Sequence, residues 1–141
     1  MYNEISSFKK YLSTVIKPIL GCNLYFGINS KITFPCVVAS VLNIESSDIQ
    51  TATEILFQFD VLANNSDEKT ALNILDKLFN ALKVNNNQQG DSCYIWDYTD
   101  VNNPVNTNKK IIWIDKSSVR IITDVNNPEI IRYGFDITLI F

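Results

Sequence analysis

A chain of 141 residues, 46% hydrophobic and 11% aromatic, has the material for one core and is excluded from the disordered class. A formal net charge of −3 and a pI near 4.8 exclude a protein that grips nucleic acid by neutralising phosphates, because that mode needs clustered Lys and Arg. Lys9 with Lys10 and Lys109 with Lys110 are the most basic local groups, and each reads as an ordinary solvated pair. Histidine is absent, which removes Ser-His-Asp and Cys-His catalysis and His-liganded zinc. The glycines Gly21, Gly27, Gly90 and Gly134 are isolated, so they build neither a phosphate-cradling loop nor a dinucleotide fingerprint. No catalytic, metal-binding or cofactor-binding residue is therefore expected.

The opening MYNEISSF carries no apolar targeting segment, and Cys22, Cys36 and Cys93 are odd in number and far apart. This pattern reads as a reducing cytosolic origin, with each cysteine a small buried hydrophobe. No apolar run approaches the ~20 residues of a membrane-spanning helix, so no membrane partner is expected.

From Glu4 to Lys17, Ile5, Phe8, Leu12, Val15 and Ile16 recur at helical spacing, and Pro18 is expected to stop or kink that helix. Gly21 to Lys31 reads as a connection with a short strand around Leu24 to Phe26. Ile32 to Ile44 is β-branched and apolar, hence a strand, and Pro35 near its start points to a sheet edge. Ala52 to Ala63 alternates, with Ile55, Phe57, Phe59 and Val61 on one face and Glu54, Gln58 and Asp60 on the other.

A second helix is predicted over 66–84, capped by Asn65 or Ser66, with Ala71, Leu72, Leu75, Leu78, Phe79 and Leu82 as its stripe. Its polar face is Asn73, Asp76, Lys77, Asn80 and Lys83, and the run from Asn85 to Gly90 ends it in a loop. The remainder reads as strands at Ser92 to Tyr98, Lys110 to Ile114, Ser118 to Thr123 and Ile130 to Phe141, with Asp115-Lys116-Ser117 a hairpin turn between the middle two. Asp-Val-Asn-Asn-Pro occurs at 100–104 and 124–128, each copy read as turn chemistry. In the last strand Ile131, Tyr133, Phe135, Ile137, Leu139 and Phe141 oppose Arg132, Gly134, Asp136 and Thr138. So apolar a strand must lie centrally or be met by another chain. The fold class is α+β in a single domain: a mixed, mostly antiparallel β-sheet packed against two α-helices.

The segments Phe34-Pro-Cys-Val-Val38, Ile55 to Ala63, Ser66 to Leu82 and Arg132 to Phe141 follow an order that resembles the phage tail-terminator or tail-completion proteins, also called minor tail proteins. That resemblance implies a virion protein at the head-tail junction, assembled in the host cytoplasm. Its partners are then copies of itself in a ring (a hexamer, or a dodecamer for a neck ring), the tail tube protein and the head connector. DNA passes through the lumen without specific binding. The long Asn-rich insertions around 85–91 and 101–109 depart from the family pattern and leave a neck or connector ring of a short-tailed particle open. An acidic balance suits such a conduit, with Asp48, Asp67, Glu68 and Asp91 as candidate lumen residues. Asp60, Trp96, Arg132 and Asp136 are the candidate protein-interface residues. Two other readings compete: a sugar or peptide platform of Tyr94, Trp96 and Tyr98, and a metal-dependent hydrolase using Asp60, Asp136 and the cluster of Asp91, Asp97 and Asp100.

Overall fold

A strand that alternates apolar and polar residues can bury one face and leave the other for different work. The computed structural model describes residues 2–27, 31–46, 53–83, 93–123 and 127–140. In chain order these form α1 (Tyr2–Tyr11), a π-helical turn (Leu12–Ile16), α2 (Lys17–Leu20), β1 (Asn23–Tyr25), β2 (Cys36–Ser46), β3 (Thr53–Asn64), a 3₁₀ turn (Asn65–Asp67), α3 (Glu68–Ala81), β4 (Tyr94–Asp97), β5 (Val105–Lys110), β6 (Ile112–Ile114), β7 (Arg120–Thr123) and β8 (Ile130–Ile140). The main sheet runs β1-β2-β3-β8, with β6 and β7 both pairing the far side of β8. Among the described strands only β1 and β2 pair in parallel. This is the expected α+β architecture.

The inner face of the sheet carries Ile55, Phe57, Phe59 and Val61 from β3 and Tyr133, Phe135, Ile137 and Leu139 from β8, all buried. Phe8 of α1 meets Phe57 edge-on at 5.0 Å, and Phe79 of α3 meets Phe135 edge-on at 5.1 Å. Both helical rods therefore seat on the same face through aromatic contacts. Trp113 of β6 is fully buried between Phe8 and Tyr11, as core and not as a stacking platform.

Pro18 does not end the first helix. The rod continues to Leu20 and closes on Gly21 at φ 69°, the left-handed cap that glycine adopts freely. A π-helical turn makes this possible: the Lys17 N–H reaches the Leu12 carbonyl five residues back, and the wider turn relieves the crowding of the Pro18 ring against the preceding backbone. The extra residue shifts the buried stripe, so Ile16 and Leu20 point inward while Val15 and Ile19 are turned out, 44% and 48% exposed. The 3.6-residue period that placed Val15 in the core holds only as far as Leu12.

The second helix starts at Glu68 after the 3₁₀ turn and has no side-chain N-cap, contrary to the expected Asn65 or Ser66. Its first turn is fixed instead by the Tyr133 hydroxyl donating to Glu68 Oε1 at 2.9 Å and by the Asn65 N–H donating to the Glu129 carbonyl. Ile74 takes the buried place assigned to Leu72, which is exposed, while Asn73, Asp76, Lys77, Asn80 and Lys83 are exposed as expected. Near the C-terminal end, Lys116 from a distant loop stacks on the Phe79 ring at 3.9 Å and donates to the Phe79 carbonyl at 2.7 Å. A cation there satisfies a terminal carbonyl and complements the helix dipole. The run from Asn85 to Gly90 lies outside the described residues.

Three strand expectations are corrected. Pro35 marks no edge, because it precedes β2, which is flanked by β1 and β3. The residues Asp115-Lys116-Ser117 do not form a hairpin turn, since β6 and β7 both run antiparallel to β8 as two pieces of one interrupted strand. The interruption is anchored by the Ser117 N–H donating to the Asp136 carbonyl at 2.9 Å and the Asp136 N–H donating to Ser117 Oγ at 2.8 Å. Thirdly, part of the supposed insertion at 101–109 is β5, a polar strand that tertiary pairing with β4 imposes. Of the two places left open for the last strand, β8 takes the central one, with β3 on one side and β6 and β7 on the other. The first Asp-Val-Asn-Asn-Pro copy is a turn: the Asn102 N–H donates to Asp100 Oδ1 and the Asn103 N–H to the Asp100 carbonyl. Residues 124–126 of the second copy lie outside the described residues.

Strand β4 docks on α1 side-on. The N–H groups of Trp96 and Tyr98 donate to Ser7 Oγ at 2.8 Å and Asn3 Oδ1 at 3.1 Å, so two helix side chains one turn apart satisfy a strand edge. Ser7→Ala leaves the Trp96 N–H without its acceptor and should cost about 1–2 kcal/mol in urea unfolding, with the slope of the transition unchanged. Burial pushes the Cys36 thiol up to about 11 and the Cys93 thiol up to about 12. At pH 8 both stay protonated and unreactive, so iodoacetamide should label partly exposed Cys22 first and the other two only on unfolding, read by mass spectrometry.

Candidate functional site

With both helical rods on the inner face, no described helix lies over the outer face of the sheet. Cross-strand register sets its rows. At its centre run Val38–Asp60–Gly134–Arg120, Cys36–Leu62–Arg132–Ile122 and Ser40–Gln58–Asp136. One end adds Ile130, and the other adds Leu56, Thr138, Ile114, Ile140 and Ile112. The face is thus a charged centre with aliphatic residues toward both ends, where Glu54 stands opposite Ile140 and Asn64 opposite Ile130.

The charges at the centre are paired within the chain. Arg132 Nη2 donates to Asp60 Oδ2 at 2.9 Å, and Gln58 Nε2 lies 3.4 Å from the other Asp60 oxygen. Arg120 grips Asp136 with both ends of its fork, at 3.0 and 2.9 Å. The hydrogen bonds to Asp136 hold the Arg120 guanidinium above its usual value, and the Asp60 charge adds to this. The pairs differ in worth. The Arg120 side chain is 43% exposed, so its bridge contributes about 0–1 kcal/mol. Asp60 is only 4% exposed and leans on Arg132 for compensation.

Gly134 makes room for this arrangement. A Cβ built there would sit 2.6 Å from Asp60 Oδ1, so the absent side chain is the space the carboxylate occupies. Gly134→Ala should displace Asp60 from Arg132 and destabilise the fold by about 2 kcal/mol, less than a fully buried pair because the Arg132 side chain is 34% exposed. In an Asp60→Ala background the same substitution should be nearly neutral, a non-additivity that thermal unfolding of the four proteins measures.

Of the four candidate interface residues, the structure brings Asp60, Arg132 and Asp136 together and puts Trp96 elsewhere. Trp96 lies on β4, 37% exposed, in a groove of about 250 Å³ between α1 and the β4–β5 hairpin. Lys10, Tyr11, Thr14, Val15 and Tyr94 line the same groove, and Lys110 lies over the Tyr94 ring at 5.6 Å. Tyr98 packs edge-on against Tyr2 at 6.5 Å. Among the candidate lumen residues, Asp67 is exposed, Glu68 binds the Tyr133 hydroxyl, and Asp48 and Asp91 lie outside the described residues.

Among the described residues no group of three or more His, Cys, Asp or Glu side chains is placed to hold a metal ion. Asp97 accepts from the backbone and hydroxyl of Thr99, and those bonds keep its carboxyl below the usual range. Among them, too, no helix is long and apolar enough to cross a membrane. Sequence reasoning placed Gln58 beside Asp60 and Gly134 beside Arg132 and Asp136 on the polar strand faces without naming them as site residues, and missed Arg120. The signal for Gly134 was present, since a glycine inside a β-branched strand marks close approach of another group. No family model and no curated protein matches the chain.

Proposed function

We propose that the chain is a structural ring subunit of a phage-type particle, placed at the head-proximal end of the tail or at the neck, where it joins the tail tube to the head connector. The observation that carries this reading is the outer face of the sheet, whose central charges are paired within the chain, Asp60 with Arg132 and Asp136 with Arg120, and whose rows carry aliphatic residues toward both ends. Burying the centre of that face against protein strands neither of these two ion pairs, which suits an assembly subunit. The order of elements supports the resemblance to tail-terminator proteins, with a long central strand pair and helices to one side. A net charge of −3 fits a ring through which DNA slides without adhering.

A second reading rests on the groove beside Trp96, whose aromatic lining suits a peptide or sugar. If that groove is the functional site, Trp96→Ala abolishes binding in a glycan and peptide array while leaving the melting temperature unchanged.

Light scattering and negative-stain microscopy, on the protein alone and with tail tube protein added, test the ring directly. Closed rings with a central hole are expected. A species of 16.1 kDa at every concentration and with tube protein present sinks the proposal.

A further inference from the structure

Pro18 carries no N–H, and the π-helical turn that accommodates it brings Val15 outward. Val15 thereby lines the groove of about 250 Å³ together with Tyr94, Trp96 and Pro104 of the β4–β5 hairpin. These walls are held in place within the chain. The Trp96 N–H donates to Ser7 Oγ of α1, the Thr107 hydroxyl donates to the Ile95 carbonyl at 2.7 Å, and the Ile111 N–H donates to the Cys93 carbonyl at 2.8 Å. A preformed site gives up little freedom on binding. Small-molecule sites usually enclose roughly 300–1,000 Å³, so a groove of this size takes part of a longer ligand and not a whole cofactor.

We infer that the groove takes an extended, proline-rich segment of another protein that carries an acidic residue beside its prolines. The inference deepens the groove reading and rests on it, independently of the ring. Three observations carry it. The shape of the lining is the first: two aromatic rings with a proline and a valine form the kind of surface on which pyrrolidine rings pack when a polyproline segment is recognised. Hydrogen bonding is the second. Lys10 and Trp96 keep an ammonium and an indole N–H without a partner among the described residues. Ser7 Oγ already accepts from Trp96, Thr14 Oγ1 donates to the Lys10 carbonyl at 2.8 Å, and no carboxylate or carboxamide is among the described lining residues. The free groups are therefore chiefly donors. A proline-rich segment offers carbonyls and lacks an N–H at every proline, whereas each sugar hydroxyl brings a proton that needs an acceptor.

Charge is the third. Lys10 is the one charged side chain among the described lining residues, and Lys110 lies over the Tyr94 ring, so each basic pair of the sequence contributes a cation here. Asp97, next to Trp96 in the chain, does not line the groove, and its carboxylate is taken up by Thr99. An acidic side chain is the complement of such a site.

Selection from a random peptide library on the whole chain, with binders measured by fluorescence anisotropy, tests this. Enriched peptides should carry prolines together with Asp or Glu. Replacing their prolines by glycine, or their acidic residue by lysine, should each weaken binding about tenfold. Trp96→Ala should abolish binding, and Val15→Arg, a change at an exposed position, should do the same where Trp96→Ala melts early. Lys10→Glu should weaken binding about fivefold at low salt and less at high salt. Enriched peptides that lack proline, or that carry Lys and Arg in place of acids, and are lost with Trp96→Ala overturn the inference and leave the groove reading standing. Binding confined to a glycan array and lost with Trp96→Ala does the same. Peptides whose binding survives both Trp96→Ala and Val15→Arg sit elsewhere and overturn it too. A chain that selects no peptide and binds no glycan fails the groove reading itself, and the inference with it.

Discussion

Every residue of β3 from Glu54 to Asn64 pairs with a residue of β8, running antiparallel from Ile140 to Ile130 without a bulge, and the rest of the molecule depends on that register. A shift of one residue would send Phe57, Phe59, Phe135 and Ile137 to the face that now holds Asp60, Arg132 and Asp136, and would bring those charges into the core. The two faces enforce each other. Aromatic contacts with α1 and α3 reward the inner set, while the Asp60–Arg132 bridge and the empty space at Gly134 fit only the outer one.

Everything attached to this pair is attached asymmetrically. Strand β2 extends one side and β6 and β7 the other, and both helical rods sit on the aromatic face. The β4–β5 hairpin adds no strand to the main sheet and is held by Asn3 and Ser7 of α1. A two-layer domain built this way has an outer sheet surface that needs no further layer to be stable, because its charges compensate each other in place.

The long strands were legible in the sequence because each has a polar and an apolar face, and a period of two leaves little room for error over 11 residues or more. The polar face of α3 was legible for the same reason at its own period. What was not legible depended on partners distant in the chain. Strand β5 is polar and becomes a strand only through β4. The run from Ile112 to Thr123 looks like a hairpin locally and is instead one interrupted strand, because β8 offers it a longer edge than it could offer itself. Val15 was misplaced because a π-helical turn changes the angular step per residue, which no regular period anticipates. The outer-face cluster was half visible: Asp60, Arg132 and Asp136 stand on polar faces of clear strands, but Arg120 joins them from a short strand whose neighbours only the fold reveals.

The partners in the central pairing lie far apart along the chain, Asp60 and Arg132 being 72 positions from each other. A polypeptide leaving the ribosome carries β3 out long before β8 exists to receive it, so Phe57 and Phe59 have no sheet neighbour on that side through the making of α3, the hairpin and β7. Topologies of this kind fold slowly, because a long loop must close before its contacts repay the lost entropy. The nascent chain in that interval is the form most open to aggregation, and the form a chaperone has most reason to hold.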